Sequence, residues 1–294
     1  MSLIARSRFV SSVEGASQKP RAEFIDIVSG AATALVSNHP RPVWRDLLRE
    51  VVAPDFKSFD ILNAIFCPRL EEIAEHQEYS TANLSSALLF AQSAIVKKYG
   101  VVMPIDRVTV INDRSLGFLA DMVNAMVAAA YRREGDAVFA ALNDNANLSD
   151  GSPWFTAENS VLTPSVAAAI LSGMEALRSQ AYPDGQLAHL EPFALVVPAG
   201  WYVTMDELNA DFLGRPPLII RSAALTDGFV FADPQFAPTM ALMSLVPGAT
   251  PEVTSTQQGK HDYRDLHAIM KVRHEFAIAP LSRTGVVRMS VESA

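Results

Sequence analysis

Only one cysteine, Cys67, occurs among the 294 residues, which excludes an internal disulfide framework and any metal site built on several thiolates. It sits in an apolar run, AIFCPRL, and reads as a small packing residue. No window reaches the ~18 consecutive apolar residues of a membrane-spanning helix, so no membrane partner is expected. The opening stretch, MSLIARSRFVSSVEG, lacks the apolar core of a secretory signal, and the expected site of synthesis is the cytoplasm. Basic residues are few, 24 against 32 acidic ones, and a formal charge of -8 argues against a dedicated reader of nucleic-acid sequence. Charged residues make up only 19% and apolar ones 49%, so the chain folds, and its length suits about two domains with real cores.

Catalytic signatures are missing as well. No GxxxxGK[ST] loop, no GxGxxG after a strand and no GxSxG elbow is present. Glu71, Glu72, Glu75, His76 and Glu78 cluster without the HExxH spacing that puts two imidazoles on one helical face; they read as a solvated acidic strip. His261, His267 and His274 do not share one face of a strand, so ligation has no support there. Trp44, Trp154 and Trp201 are isolated and read as packing anchors. The expectation is a protein that is not an enzyme, with no catalytic residue, cofactor or metal.

What the chain does have is one long amphipathic stretch, residues 112–143. Asn112 or Asp113 can cap it, and Leu116, Leu119, Val123, Met126, Val127, Ala130 and Tyr131 fall on one helix face. Asp121, Asn124, Arg132, Arg133 and Asp136 fall off that face, while Gly117 and Gly135 weaken the interior, so the helix needs tertiary support or breaks near Gly135. Ahead of it lies a basic N-terminal arm carrying Arg6, Arg8, Lys19 and Arg21. Residues 23–36 and 41–52 read as helices, the second with Pro42 in an early turn. After a strand at 56–66 comes an excursion to about Thr109, with Glu71, Glu72, Glu75 and Glu78 outbound and Lys97 and Lys98 on one long β-branched return strand. Such a hairpin needs something to lie on.

Beyond the helix, Thr163 and Pro164 are expected to open a second one with a stripe of Val166, Ile170, Met174, Leu177 and Ala181. Residues 193–197 are a buried strand, and Thr204–Glu207 forms a capping box for a short helix. PLIIRS, GFVFAD and TMALMSLV are strands separated by turn signals. The last long element alternates, with Leu266, Ala268, Met270, Val272, Phe276 and Ile278 on one face and Asp265, His267, Lys271, Arg273 and Glu275 on the other.

In this order the segments resemble a tailed-phage major capsid protein of the HK97 fold, and within it the phage Mu-like head subunits and the capsid part of prohead protease–capsid fusions. The likeness is carried by EYSTANL (78–84), KKYGVVMPIDRVTVINDR (97–114), GDAVFAALNDNANLSDGSPWF (135–155), LVVPAGW (195–201), FADP (231–234) and KVRHEFAIAP (271–280). It departs where the usual DWRG ending stands as PLSRTG (280–285), and where the H…HGN pattern after the loop stands as WFTAENS.

The resemblance implies an α+β fold with an N-terminal arm, an extended β-hairpin loop, a peripheral domain with a long spine helix, and an axial domain. The corresponding expectation is an arm at 1–55, loop and flanking strands at 56–112, a peripheral domain at 113–159 and 259–294, and an axial domain at 160–258. It further implies self-assembly into hexamers and pentamers of an icosahedral head around double-stranded DNA, in a virion assembled in the host bacterial cytoplasm. The alternative is an encapsulin-type shell around a protein cargo. Implied partners are the chain itself, a portal, decoration or scaffold proteins, and DNA bound without sequence specificity. Subunit contacts are then expected at Glu71, Glu72, Glu75, Glu78, Lys97, Lys98, Arg132 and Arg133, and DNA-facing charge at Arg6, Arg8, Lys19 and Arg21.

Overall fold

The computed structural model describes residues 21–65, 88–106, 117–182, 185–201, 217–256 and 266–292. The acidic strip Glu71–Glu78, Cys67, His261, the capping box at Thr204–Glu207, the caps Asn112 and Asp113, and arm residues Arg6, Arg8 and Lys19 lie outside them, as does the side chain of Arg21.

The chain opens with α1 (Arg21–Ser37) and a 3-10 turn, Val43–Leu47, followed by β1 (Arg49–Val52). A helix over 41–52 is therefore corrected. Pro42 and Leu48 bracket the turn in extended conformations (ψ 138 and 139), and Arg49–Val52 pairs in parallel with a strand near residue 240 instead. The β-branched Val51 and Val52 suit that strand better than a helix.

β2 (Phe59–Ile65) and β3 (Leu88–Ala94) form an antiparallel hairpin with Phe59 opposite Ala94 and Ile65 opposite Leu88. The return run is not one strand: it breaks at Ile95 and Val96, one exposed and one buried, and β4 (Lys97–Asp106) joins a different sheet.

Next comes α2 (Gly117–Asp144), 28 residues and so about 42 Å of helix. Val123, Met126, Val127, Ala130 and Tyr131 are buried, in the predicted phase, against Leu35 and Val36 of α1 and against Met270 and Val272. The helix does not break at Gly135. A Cβ there would stand 3.2 Å from the Trp44 ring, so the missing side chain makes room for that indole and the contact replaces the lost propensity. Beyond it Val138, Phe139 and Leu142 enter a second core with Trp154, Phe155, Phe229, Phe231, Leu242 and Phe276.

β5 (Ser160–Thr163) and α3 (Val166–Arg178) follow. Thr163 belongs to β5, and the helix cap is Ser165, whose Oγ accepts from the Ala168 amide at 3.3 Å; Pro164 precedes the cap, and Ala181 lies past the helix end. The remaining strands are β6 (Pro192–Pro198), β7 (Leu218–Ser222), β8 (Gly228–Ala232), β9 (Met240–Ser244), β10 (Glu252–Thr256), β11 (Leu266–Pro280) and β12 (Val286–Val291).

They make two five-stranded sheets, one ordered β1-β9-β11-β10 with β4 also on β11, the other β5-β12-β8-β6-β7. The first packs on α1 and α2, and the second is covered by Ile170, Met174 and Leu177 of α3. Sheet membership does not follow chain order: β9 and β10 stand beside β11, while β12 stands between β5 and β8.

Candidate functional site

The most unusual feature of the interior is ionic. Glu134 lies on the buried face of α2, a turn beyond Tyr131 in the same apolar phase, and is wholly buried. Its Oε1 accepts from Arg45 Nε at 2.7 Å and from Trp44 Nε1 at 3.1 Å. Its Oε2 accepts from Arg45 Nη2 at 2.5 Å and from His274 Nε2 at 2.9 Å. Because a carboxylate only accepts, this ring nitrogen carries the hydrogen.

Arg45 donates also to the carbonyls of Gly248 and Ala249, each at 2.7 Å. Those carbonyls are presented by a turn, Pro247–Ala249, whose last two residues have φ of 78° and 43°. Gly248 takes the left-handed region without strain; Ala249 is held in it by the contacts. Tyr131 completes the enclosure, its ring 5.1 Å beneath the Arg45 guanidinium and edge-on to His274.

Burial alone would push the Glu134 carboxyl up, but the hydrogen bonds and charges of Arg45 and His274 outweigh it and hold the group below the ordinary carboxylate range. Burial likewise disfavours charge on Arg45, yet Glu134 outweighs it and the guanidinium is held above its usual value. Burial pushes Tyr131 up. The junction thus ties four segments together: the 3-10 turn, α2, the turn after β9, and β11. No group of His, Cys, Asp or Glu among the described residues could hold a metal ion. What the junction does chemically is brace the spine of the molecule.

A second brace joins residues 280–285, where the sequence departs from its resemblance, to the turn that follows α2. Arg283 grips Asp150 with two hydrogen bonds, 2.6 and 3.0 Å, and donates also to the carbonyls of Ser152 and Pro153. Trp154, fully buried, donates from Nε1 to the Ser282 carbonyl at 2.8 Å. The Arg283 guanidinium and the Ser152 amide hold the Asp150 carboxyl down, to about 2.

Of the surface charges singled out from sequence, Lys97, Lys98, Arg132 and Arg133 are all exposed. Of the two arginines, Arg133 reaches β4, its guanidinium lying over the Tyr99 ring at 4.9 Å. Lys98 stands 3.9 Å from Glu275, whereas Lys97, Arg132 and Arg133 have no carboxylate partner among the described residues. Arg273 pairs with Glu252 and with Glu275 on the outward face of β10 and β11.

Arg45, Glu134 and His274 were missed from sequence, although a signal existed. Glu134 and His274 each interrupt an apolar phase, one of period 3.6 and one of period 2, where a charged or polar side chain needs a buried partner. Trp44, Trp154 and Trp201 do act as packing anchors.

A family model described as phage capsid protein matches residues 91–289. None of the curated proteins compared matches the sequence. Among solved structures, the fold resembles the capsid of cyanophage P-SCSP1u at a TM-score of 0.56 and 14% identity, covering 86% of this chain and 89% of that one. A phage-related protein from Bordetella bronchiseptica RB50 gives 0.57 and 10%, covering 89% and 96%. A virus-like particle from Pyrococcus furiosus gives 0.53 and 12%, covering 91% and 100%.

Proposed function

This chain belongs to the phage capsid protein family, and from that premise we propose that its copies assemble as hexamers and pentamers of an icosahedral head around double-stranded DNA. A shell protein of the virion is a structural component, and this one is built for that work. The observation that carries the reading is the extent of the family match, which spans β4, the whole of α2, α3 and the strands from β5 to β11, and most of β12.

Within the proposed subunit, residues 113–159 and 259–294, around α2, form the peripheral part, and residues 160–258, with α3, the axial part that meets its neighbours around a capsomer; β1, β4, β9 and β10 pair into one sheet with the peripheral β11, and β12 into the other sheet beside β8. Residues 1–55 serve as an arm and 56–112 as an extended loop reaching a neighbour. The Arg45–Glu134–His274 junction supports this division of labour, because it ties the arm's last turn to the spine helix and to β11. Glu71, Glu72, Glu75 and Glu78 of one copy then meet Arg132 and Arg133 of the next, with Lys97 and Lys98 close by. Exposed pairs of this kind contribute about 0–1 kcal/mol each, but each recurs at every equivalent contact.

Arg6, Arg8, Lys19 and Arg21 face the packaged phosphates, which are bound through charge and without sequence readout. Portal and scaffold or decoration proteins are the further partners, and assembly takes place in the cytoplasm of a bacterial host. A second reading, a compartment around protein cargo, draws on the likeness to the virus-like particle shell. Particles purified from an infected or induced host separate the two: nuclease-resistant, genome-length DNA inside supports the head, and a protein cargo in its place supports the compartment.

A further inference from the structure

Beside the junction, a groove of about 260 Å³ opens between α2 and the strands β4 and β11. Tyr99, Val101, Ala129, Ala130 and Val272 give it apolar walls, and Arg133 stands at its rim. A cavity of roughly 150 Å³ suffices for benzene, so this one takes an aromatic side chain. Val101 at its edge is 49% exposed. His274 lines it too, and the buried Nδ1 of that ring has no hydrogen-bond partner. Arg133 leans one face of its guanidinium on Tyr99 and pairs with no carboxylate among the described residues.

The matching shape is elsewhere on the same chain. Phe236 is 78% exposed, more than any other large apolar side chain described. It caps a tight turn between β8 and β9 that is fixed from within. The Asp233 carbonyl accepts from the amides of Phe236 (3.1 Å) and Ala237 (3.0 Å), and Asp233 Oδ1 accepts from the Gln235 amide at 2.9 Å. Ala237 is buried at the base. A ring held out on so rigid a turn loses little conformational freedom on docking.

We propose that the Tyr99–Arg133 groove receives the Asp233–Phe236 turn of a second copy of this chain. The Phe236 ring enters beside Tyr99 and against the free face of the Arg133 guanidinium, where ring–ring and cation–ring attraction add to burial. Asp233 brings a carboxylate to Arg133, while the acidic strip proposed above reaches Arg132 beside it. Knob and hole lie on different parts of one subunit, so the contact is head-to-tail and closes only as a ring. The contact rests on the shell reading above, since it needs neighbours.

The test uses the full chain with Cys67→Ser, carrying Phe236→Cys and Val101→Cys together, assembled and then oxidised. Disulfide-linked ladders running beyond the dimer are expected, with no ladder from either single-cysteine chain. Phe236→Ala and Arg133→Ala should each raise the protein concentration needed for assembly by about tenfold while leaving the thermal midpoint of the unassembled subunit unchanged. Shells that form normally from the Phe236→Ala chain, with no ladder from the paired cysteines, overturn the docking contact and leave the shell reading standing. Ladders from Phe236→Cys alone also overturn it, because like residues would then be meeting. Failure of the unaltered chain to form shells overturns the shell reading and the contact with it.

Discussion

Replacing Glu134 with glutamine keeps the shape of the side chain and removes its charge. Arg45 is then left at 3% exposure with one amide oxygen where a carboxylate had been, and its other partners, the Gly248 and Ala249 carbonyls, carry no formal charge. Four hydrogen bonds converge on the Glu134 carboxylate, from Trp44, from Arg45 twice and from His274. The amide nitrogen can accept none of them, so at least one Arg45 N–H faces another donor even if His274 shifts its proton to Nδ1. Breaking one side of a buried ion pair costs about 3–5 kcal/mol. For a chain of this size that lowers the thermal midpoint by roughly 5–8 °C. The assay is urea or thermal unfolding of the unassembled subunit, so that shell contacts do not mask the loss. Removing both charges together, as Arg45→Met with Glu134→Leu, should cost much less than the sum of the single changes, because no charge is left buried alone. A Glu134→Gln subunit within 1 kcal/mol of the unaltered one, or a double variant whose losses simply add, would refute the view that charge pairing braces the spine.

Other outcomes follow from the same contacts. Gly135→Leu drives a side chain into the Trp44 ring, only 3.2 Å from a Cβ at that site, and should cost about 1–3 kcal/mol in subunit unfolding despite leucine's better helix propensity. Gly100→Val should weaken the β4–β11 pairing, since its Cβ would lie 2.7 Å from the Val272 carbonyl oxygen; faster amide exchange along β4 is the readout. Asp150 titrates at about 2 when folded against an ordinary 3.8, so its pairing with Arg283 contributes fully above 3.8 and is lost as the pH falls toward 2. Thermal midpoints measured from pH 5 to 2 should therefore fall less steeply in Asp150→Asn than in the unaltered chain. Reversing Arg132 and Arg133 to Glu should impair assembly most at low salt, where screening is weakest, and exchanging two of Glu71, Glu72, Glu75 and Glu78 for Lys should partly restore it.

The elements most legible in the sequence were those with a long, regular apolar period. α2 and β11 lie where the spacing put them, and the buried phase of α2 is the predicted one. Short elements were less legible. WRDLLREVV carries enough leucine and charge to suit a helix, yet its second half gains a partner strand that propensity cannot report. The LLFAQSAIVKKYGVV run looked continuous because periodicity does not show that Ala94 pairs with Phe59 while Lys97 pairs with Phe276.

Pairings between distant segments were invisible. Arg45, Glu134 and His274 lie 89 and 140 residues apart in sequence, and nothing local announces that three polar groups on three elements share one pocket. The interruption of two apolar phases was the available sign. Arg283 and Asp150 meet across 133 residues for the same reason. Lys97, Lys98, Arg132 and Arg133 are surface charges, and the contact of Arg133 with Tyr99 is one that only the β4–α2 packing creates.

The most direct measurement is an electron cryomicroscopy reconstruction of particles purified after expression of the full chain with its neighbouring head genes. Closed icosahedral shells are predicted, with rings of six and five copies, the second sheet of each copy toward the ring centre and α2 along its outer part. A population that stays as single 31.9 kDa chains at assembly concentrations, or shells in which α2 lies at the ring centre, would contradict the account.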